Sequence, residues 1–283
     1  MLTTSMAFGK TFSSDSLNKS RLTQVLIAQG AVYGGSLVGL EALWYSNYSR
    51  SSFHFFNDNR HWLQVDKTGH AITGYSLSQL SKDTYMWSGM DHQKATIMGS
   101  IAGFSYLTVI EILDGFSANW GASAGDLAAN FAGSGLFLAQ ELAWQEQKVQ
   151  LKWSFHTTEY AGKNPALLGS SLPEKMLKDY NGQTTWLSFH PGFYKEDTFI
   201  PDWLNIAAGY SATGMLNAKE NKHPWQDTDR YRQYLLSLDI NWRKIPTNSK
   251  TLKFVFKTLS FIKIPFPAIE FSEKGIKAHG LYF

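Results

Sequence analysis

The chain of 283 residues contains no cysteine. Disulfides, thiolate metal ligands and cysteine nucleophiles are therefore excluded. Charge is scarce too: Asp, Glu, Lys and Arg together make up 17% of the residues, against roughly 25% in ordinary soluble domains. HExxH and a glycine-rich phosphate loop are both missing. The corresponding hydrolase and nucleotide-binding classes have no direct support. A net charge of +3 is too small to point to nucleic acid, so no such partner is expected.

What is abundant is aromatic. Ten Trp and nineteen Phe bring the aromatic share to 15%. Aromatic rings concentrate at lipid interfaces, so this composition favours a membrane-associated protein. The length suits one large domain or two smaller ones with a sizeable core. Met1 to Gly9 is apolar, short for a signal peptide and without a basic start, yet Ser5-Met6-Ala7 has the small-x-small form of a cleavage site. Residues 1–16 are read as a signal-peptide remnant or a disordered N-terminus.

Residues 17–150 read as a helical domain. Leu22 to Leu40 carries no charge and is near the ~20 residues that span a bilayer. Gly30/Gly34 and Gly35/Gly39 repeat a spacing that lets another helix approach closely. The expectation is a buried helix packed on the next ones, with a transmembrane span as the alternative and Glu41 facing the site. After a loop from Tyr45 to Arg60, helices are expected over about Val65–Lys82, His92–Phe116 and Ser123–Val149.

These helices carry isolated charges in apolar surroundings. Asp66 and His70 stand four apart on the first, Glu111 and Asp114 three apart on the second, and Asp126 and Asn130 four apart on the third. Residues at those spacings share a helix face. Buried charge costs several kcal/mol unless paired, so the simplest expectation is that the groups pair with each other. Candidate catalytic residues are His70, Asp66, Glu111 and Asp126, with Lys67, Asp114, Ser123 and Asn130 completing a polar network. As a catalytic or metal site, His70 would be base or ligand and the carboxylates would orient or ligate. The pattern names no metal and no cofactor. Simpler roles compete: a helix N-cap for Asp66, a capping box Ser123-x-x-Asp126, and a satisfied core histidine for His70. A buried network that fixes helix packing accounts for all of them together.

From Lys152 the periodicity changes to two. Tyr234, Leu236, Leu238, Ile240 and Trp242 alternate with Gln233, Ser237, Asp239, Asn241 and Arg243, and Leu204 to Ser211 alternates likewise. Shorter strands are expected at Trp153–Tyr160, Thr184–His190, Ala268–Ser272 and Ile276–Phe283. Lys250 to Lys263 reads as a basic amphipathic interfacial segment, with a strand as the alternative. About six strands fall short of the eight that a closed membrane barrel needs. The alternation suits either an outer-membrane sheet or a soluble sheet with one packed face. The fold class is α+β, a bundle of about four helices followed by an antiparallel β-rich region over 151–283, with a barrel-like form as one option.

Asp66, Lys67 and His70, followed by Ser123, Asp126, Asn130 and Gly133 with Glu111 between, form an ordered set. It resembles the YfiM-like family of predicted periplasmic lipoproteins of unknown function, and more distantly is similar to VanZ-like membrane proteins. The resemblance covers about 80 of the 283 residues and implies an envelope location, the outer membrane or periplasm of a Gram-negative bacterium, but no reaction. With no cysteine to carry a lipid, the chain is expected to meet a membrane or envelope component through its own apolar surface; no protein partner is indicated. Two functions follow: a structural or partner-binding envelope unit with a buried Asp/His/Glu/Asn network, or a membrane-proximal enzyme acting on lipid or cell-wall material through the His70 cluster.

Overall fold

Helix α2 (Val65–Trp87) lies between α3 (His92–Asp114) and α4 (Ala124–Trp144) and packs extensively on both. The computed structural model describes residues 17–46, 48–192 and 199–283. The signal-peptide expectation for 1–16 lies outside the described residues. Small residues set the spacing of the three helices. A Cβ at Gly103 would sit 2.8 Å from the Ser78 amide, one at Gly74 would sit 2.8 Å from the Asn130 carbonyl, and one at Gly133 would collide with the Ala71 carbonyl. Such near-contact of backbones brings even short polar side chains on neighbouring turns within hydrogen-bonding reach.

Helix α1 (Lys19–Leu40) departs from its expected place. Val25 alone of its residues is buried, against Tyr85 and Ala95, while Leu26, Ile27, Val32 and Val38 are 51–71% exposed. Polar contacts fasten it to α2, with Gln29 Nε2 donating to Ser81 Oγ at 3.0 Å. A Cβ at Gly30, Gly34, Gly35 or Gly39 would meet nothing within 4 Å, so the close-approach spacing finds no partner helix among the described residues. Glu41 pairs at 2.5 Å with Arg50, both half exposed, instead of reaching the site.

Helix α4 ends five residues earlier than its periodicity suggests, because Gln145 turns left-handed and the Gln140 side chain pairs with both backbone groups of Val149. Strand β1 (Val149–Phe155) follows, then the short helices α5 (Glu159–Lys163), α6 (Pro165–Leu168) and α7 (Leu172–Lys178). Thr158 caps α5 where a longer first strand was expected. Next come β2 (Gln183–Phe189), β3 (Leu204–Thr213), β4 (Tyr231–Ile240), α8 (Lys250–Thr258), β5 (Phe266–Ser272) and β6 (Gly275–Tyr282). The basic amphipathic segment is thus helical to Thr258, and a 3-10 turn (Leu259–Phe261) completes it, which sets the strand alternative aside.

The six strands form one antiparallel sheet in sequential order, and β1 and β6 do not pair. It is an open sheet, not a barrel, but it curls strongly. Flat, β2 and β6 would lie four spacings, roughly 19 Å, apart. Yet the Tyr282 hydroxyl of β6 is 3.4 Å from Thr184 Oγ1 of β2, and its ring centroid is 5.9 Å from that of Trp186. Residues 262–263 run beside β1, with the Lys263 amide donating to the Trp153 carbonyl at 2.9 Å.

The two sheet faces are inverted relative to a soluble sheet. The concave face buries polar groups, among them Lys152, Thr184, Ser188, Asn205, Asp239 and Glu270, around Trp186, Leu235 and Tyr282. Lys152 and Asp239, both wholly inaccessible, pair at 2.7 Å, and Ser188 donates to the same Asp239 oxygen at 2.6 Å. The convex face is apolar. Over β1–β3 it meets α2, whereas over β4–β6 it leaves Tyr234, Leu236, Leu238, Ile269, Phe271 and Ile276 at 42–75% exposure.

Lys263 shows the strain of this polar interior. Its ammonium lies 4.3 Å from the Trp186 ring centroid and donates to the Ile264 carbonyl. Burial pushes its pKa down to about 8, with Lys152 adding to the shift and Asp239 partly opposing it. A lysine whose folded pKa lies below its unfolded value destabilises the fold fully below about pH 8. That penalty fades as pH rises from about 8 to 10.5, where the unfolded chain also loses its proton. Lys263→Met is therefore expected to stabilise the protein by about 1–3 kcal/mol at pH 7. Urea unfolding should show the gain shrinking toward pH 10.

Candidate functional site

Three left-handed residues introduce α2. Trp62, Leu63 and Gln64 have φ of 49°, 48° and 67°, a region that costs a non-glycine residue about 1–2 kcal/mol. The turn is held from the far half of the chain. The Trp62 amide donates to the Ala218 carbonyl at 2.7 Å, the Tyr210 hydroxyl to the Leu63 carbonyl, and Arg232 to Gln64 Oε1 at 2.6 Å. The β-region thereby aims the first turns of α2, which carry Asp66, Lys67 and His70.

Lys67 Nζ lies among three carboxylates, 2.6 Å from Asp58 Oδ1, 2.8 Å from Asp126 Oδ1 and 3.2 Å from Asp66 Oδ2. His70 sits one turn deeper. Its Nδ1 is 3.0 Å from Asn130 Oδ1 and 3.7 Å from Glu111 Oε1; its Nε2 is 3.6 Å from Asp126 Oδ1 and 3.9 Å from Asp66 Oδ1. Because the Asn130 oxygen only accepts, Nδ1 carries the hydrogen of that bond. Asp66, His70 and Asp126 each offer an atom of metal-ligand type, all within 4.8 Å of one another.

The capping arrangement at α4 explains why the Asp126 carboxylate is free to take part. Ser123 Oγ accepts from the Asp126 amide at 3.1 Å, the first half of the expected box. In a complete box the acid at the third helical position takes the cap residue's amide hydrogen. Here Glu111 Oε2 of α3 accepts from the Ser123 amide at 3.0 Å instead. Ser123 Oγ also donates to Asp58 Oδ1 at 2.6 Å. Asp66 is not the N-cap of α2, a position held by Gln64, and its Oδ1 accepts from the Tyr180 hydroxyl at 2.6 Å.

The structure thus brings Asp66, Lys67, His70, Glu111, Ser123, Asp126 and Asn130 together. Asp114 stands aside, accepting from Tyr45 at 2.9 Å and from the Trp120 indole at 2.6 Å. Two members escaped the sequence reading. Asp58 lies in the loop run Asn57-Asp58-Asn59, a recognisable polar patch just ahead of the helix. Tyr180 is 114 residues from Asp66 and carries no local signal.

Burial pushes the Glu111 carboxyl up to about 8, with Asp126 contributing. It raises Asp126 to about 7, with Asp66 adding. Burial works against the charge of His70, but Asp66, Asp126 and Glu111 outweigh it and hold the imidazole above its ordinary range. For Lys67 too, Asp66 and Asp126 overcome burial and raise its pKa. The pocket therefore favours protons on some of its acids and positive charge on Lys67 and His70.

Residues 54–140 match the model of a family described as predicted periplasmic lipoprotein (DUF2279). The matched stretch is less than a third of the chain, and it contains every cluster residue named above except Tyr180. It supports an envelope location and assigns no reaction. Comparisons with curated proteins and with solved structures give no match.

Removing the shared cation is the sharpest local perturbation. Lys67→Met leaves Asp58, Asp66 and Asp126 facing each other, and breaking a buried pair in this way costs about 3–5 kcal/mol. Denaturant unfolding at pH 7 measures it. A loss under about 1 kcal/mol, the range of exposed pairs, would mean that solvent already screens the ammonium.

Proposed function

We propose that this is an outer-membrane protein of a Gram-negative envelope, a structural unit that binds lipid through its apolar outer surface and is held together by the buried Asp/His/Glu/Asn network. The inverted sheet carries this reading. In water an antiparallel sheet buries its apolar face and hydrates its polar one. This sheet does the reverse over β4–β6, where apolar side chains point outward and charged ones inward. Soluble monomers rarely expose large contiguous apolar patches.

Two further surfaces support a lipid partner. Helix α1 exposes apolar side chains along its length. Helix α8 exposes Leu252, Phe254 and Val255 and carries Lys250, Lys253 and Lys257, the composition of an interfacial helix on anionic lipid. The resemblance to YfiM-like proteins favours the periplasmic side, and the similarity to VanZ-like proteins favours a membrane setting.

The network serves in this reading as a clamp on α2, α3 and α4. Of two clefts beside the 55–61 loop, with volumes of ≈ 460 and ≈ 340 Å³, neither is lined by His70, Asp66, Glu111 or Asp126. The second reading is an enzyme acting on lipid or cell-wall material. It has one observation in its favour: Ser123, at the edge of the cluster, lines the smaller cleft.

Two outcomes test the proposal. Replacing Leu236 and Phe271 with Asp on the convex face should release the folded protein from membranes in salt- and carbonate-washed fractions; wild type and variant both soluble without detergent would contradict it. His70→Ala should lower stability by about 1–3 kcal/mol by leaving buried carboxylates unpaired, with any cellular phenotype tracking the loss of folded protein. An unchanged melting temperature with complete loss of function would favour the enzyme.

A further inference from the structure

We propose that the polar cluster holds one divalent first-row transition cation, Zn²⁺ or Mn²⁺ in class, between Asp66, His70 and Asp126. His70 Nε2 faces two carboxylate oxygens without a direct hydrogen bond to either. Nε2 is 3.6 Å from Asp126 Oδ1 and 3.9 Å from Asp66 Oδ1, too long for hydrogen bonds. Ligands at 2.0–2.2 Å from a tetrahedral ion stand roughly 3.4 Å apart. Nε2 lies within about half an ångström of that spacing from each oxygen, and the three atoms are within 4.8 Å of one another.

Asp126 Oδ1 supplies an independent observation. Its side chain is 6% exposed, and the one contact at hydrogen-bonding distance on that oxygen among the described residues is the Lys67 ammonium at 2.8 Å, which leaves it room for a second partner. Glu111, 2% exposed, leaves Oε1 without a hydrogen-bond partner, 3.7 Å from the His70 ring. Buried carboxylate oxygens are seldom left so. An ion between Nε2 and Asp126 would give the Asp126 oxygen its second partner.

The supporting contacts are those that orient metal ligands. Asn130 Oδ1 takes the Nδ1 hydrogen of His70, which presents Nε2 as the ligating nitrogen. Tyr180 donates to Asp66 Oδ1 at 2.6 Å and fixes that carboxylate. One imidazole with two carboxylates is a nitrogen-oxygen donor set that suits Zn²⁺, Fe²⁺ or Mn²⁺ better than Ca²⁺, whose ligands are oxygens. The His70 and Asp66 side chains keep 19% and 13% of their surface exposed, so the cluster is not fully enclosed.

This inference deepens the clamp reading of the same cluster, and the two fail separately, since a clamp without metal keeps the His70→Ala stability loss and binds no ion. The test is calorimetric titration of chelator-treated, detergent-purified full chain with Zn²⁺, Mn²⁺ and Ca²⁺. One equivalent of Zn²⁺ or Mn²⁺ should bind, and Ca²⁺ should not compete. Tyr180→Phe should weaken binding roughly 10–100-fold, while His70→Gln and Asp126→Asn abolish it. If a ligand variant fails to fold, zinc-edge anomalous scattering from wild-type crystals decides, with a peak expected between the three side chains. Folded wild type that takes up neither ion, a zinc peak only elsewhere, or undiminished binding in folded His70→Gln and Asp126→Asn would each overturn the proposal.

Discussion

One ammonium shared by three carboxylates is the interaction on which the helical half depends. Lys67 draws Asp66 from its own helix, Asp126 from the start of α4 and Asp58 from the preceding loop. Opposite charges in a poorly hydrated interior attract strongly, but only where geometry repays the loss of water. The small residues along α2, α3 and α4 provide that geometry, because Gly74, Gly103 and Gly133 allow the backbones to close up. Burial, with repulsion from neighbouring acids adding to it, raises the pKa of Glu111 and Asp126.

The sheet is coupled to this cluster, not appended to it. Tyr180 reaches Asp66, Thr185 of β2 donates to Thr68 of α2 at 3.0 Å, and Tyr210 and Arg232 hold the strained turn ahead of the helix. The strain at Trp62–Gln64 therefore persists because contacts from two strands over-determine it. The same sheet turns its apolar residues away from its polar concave interior. Charge buried in two places and apolar surface exposed in a third form one pattern, which a lipid surroundings would make consistent.

Much of this was legible in the sequence. Spacings of three and four in charge-poor helices bring Asp66, His70, Glu111, Asp126 and Asn130 to a common interior, because helix geometry is local and those charges have few other partners. Strand periodicity identified β3 and β4 for the same reason. Long-range facts were not legible. Tyr180 joins from the other half of the chain, and Asp114 leaves the cluster because Tyr45 and Trp120 are better placed for it. Alternation shows that a strand has two faces but not which one is buried, and the inverted sheet turns on that. Small-residue spacing in α1 marks a surface suited to close packing without saying whether a partner lies in the same chain.

If the buried cluster is what joins α2 to α4, His70 and Asp126 must stabilise the fold together. A double-mutant cycle with His70→Ala, Asp126→Asn and the combined variant, unfolded by denaturant in the presence of chelator, measures that coupling. The account predicts an interaction energy between about 0.5 and 3 kcal/mol, the range for residues in one network. Strictly additive single effects would contradict it and reduce the cluster to independent polar groups that happen to lie close together.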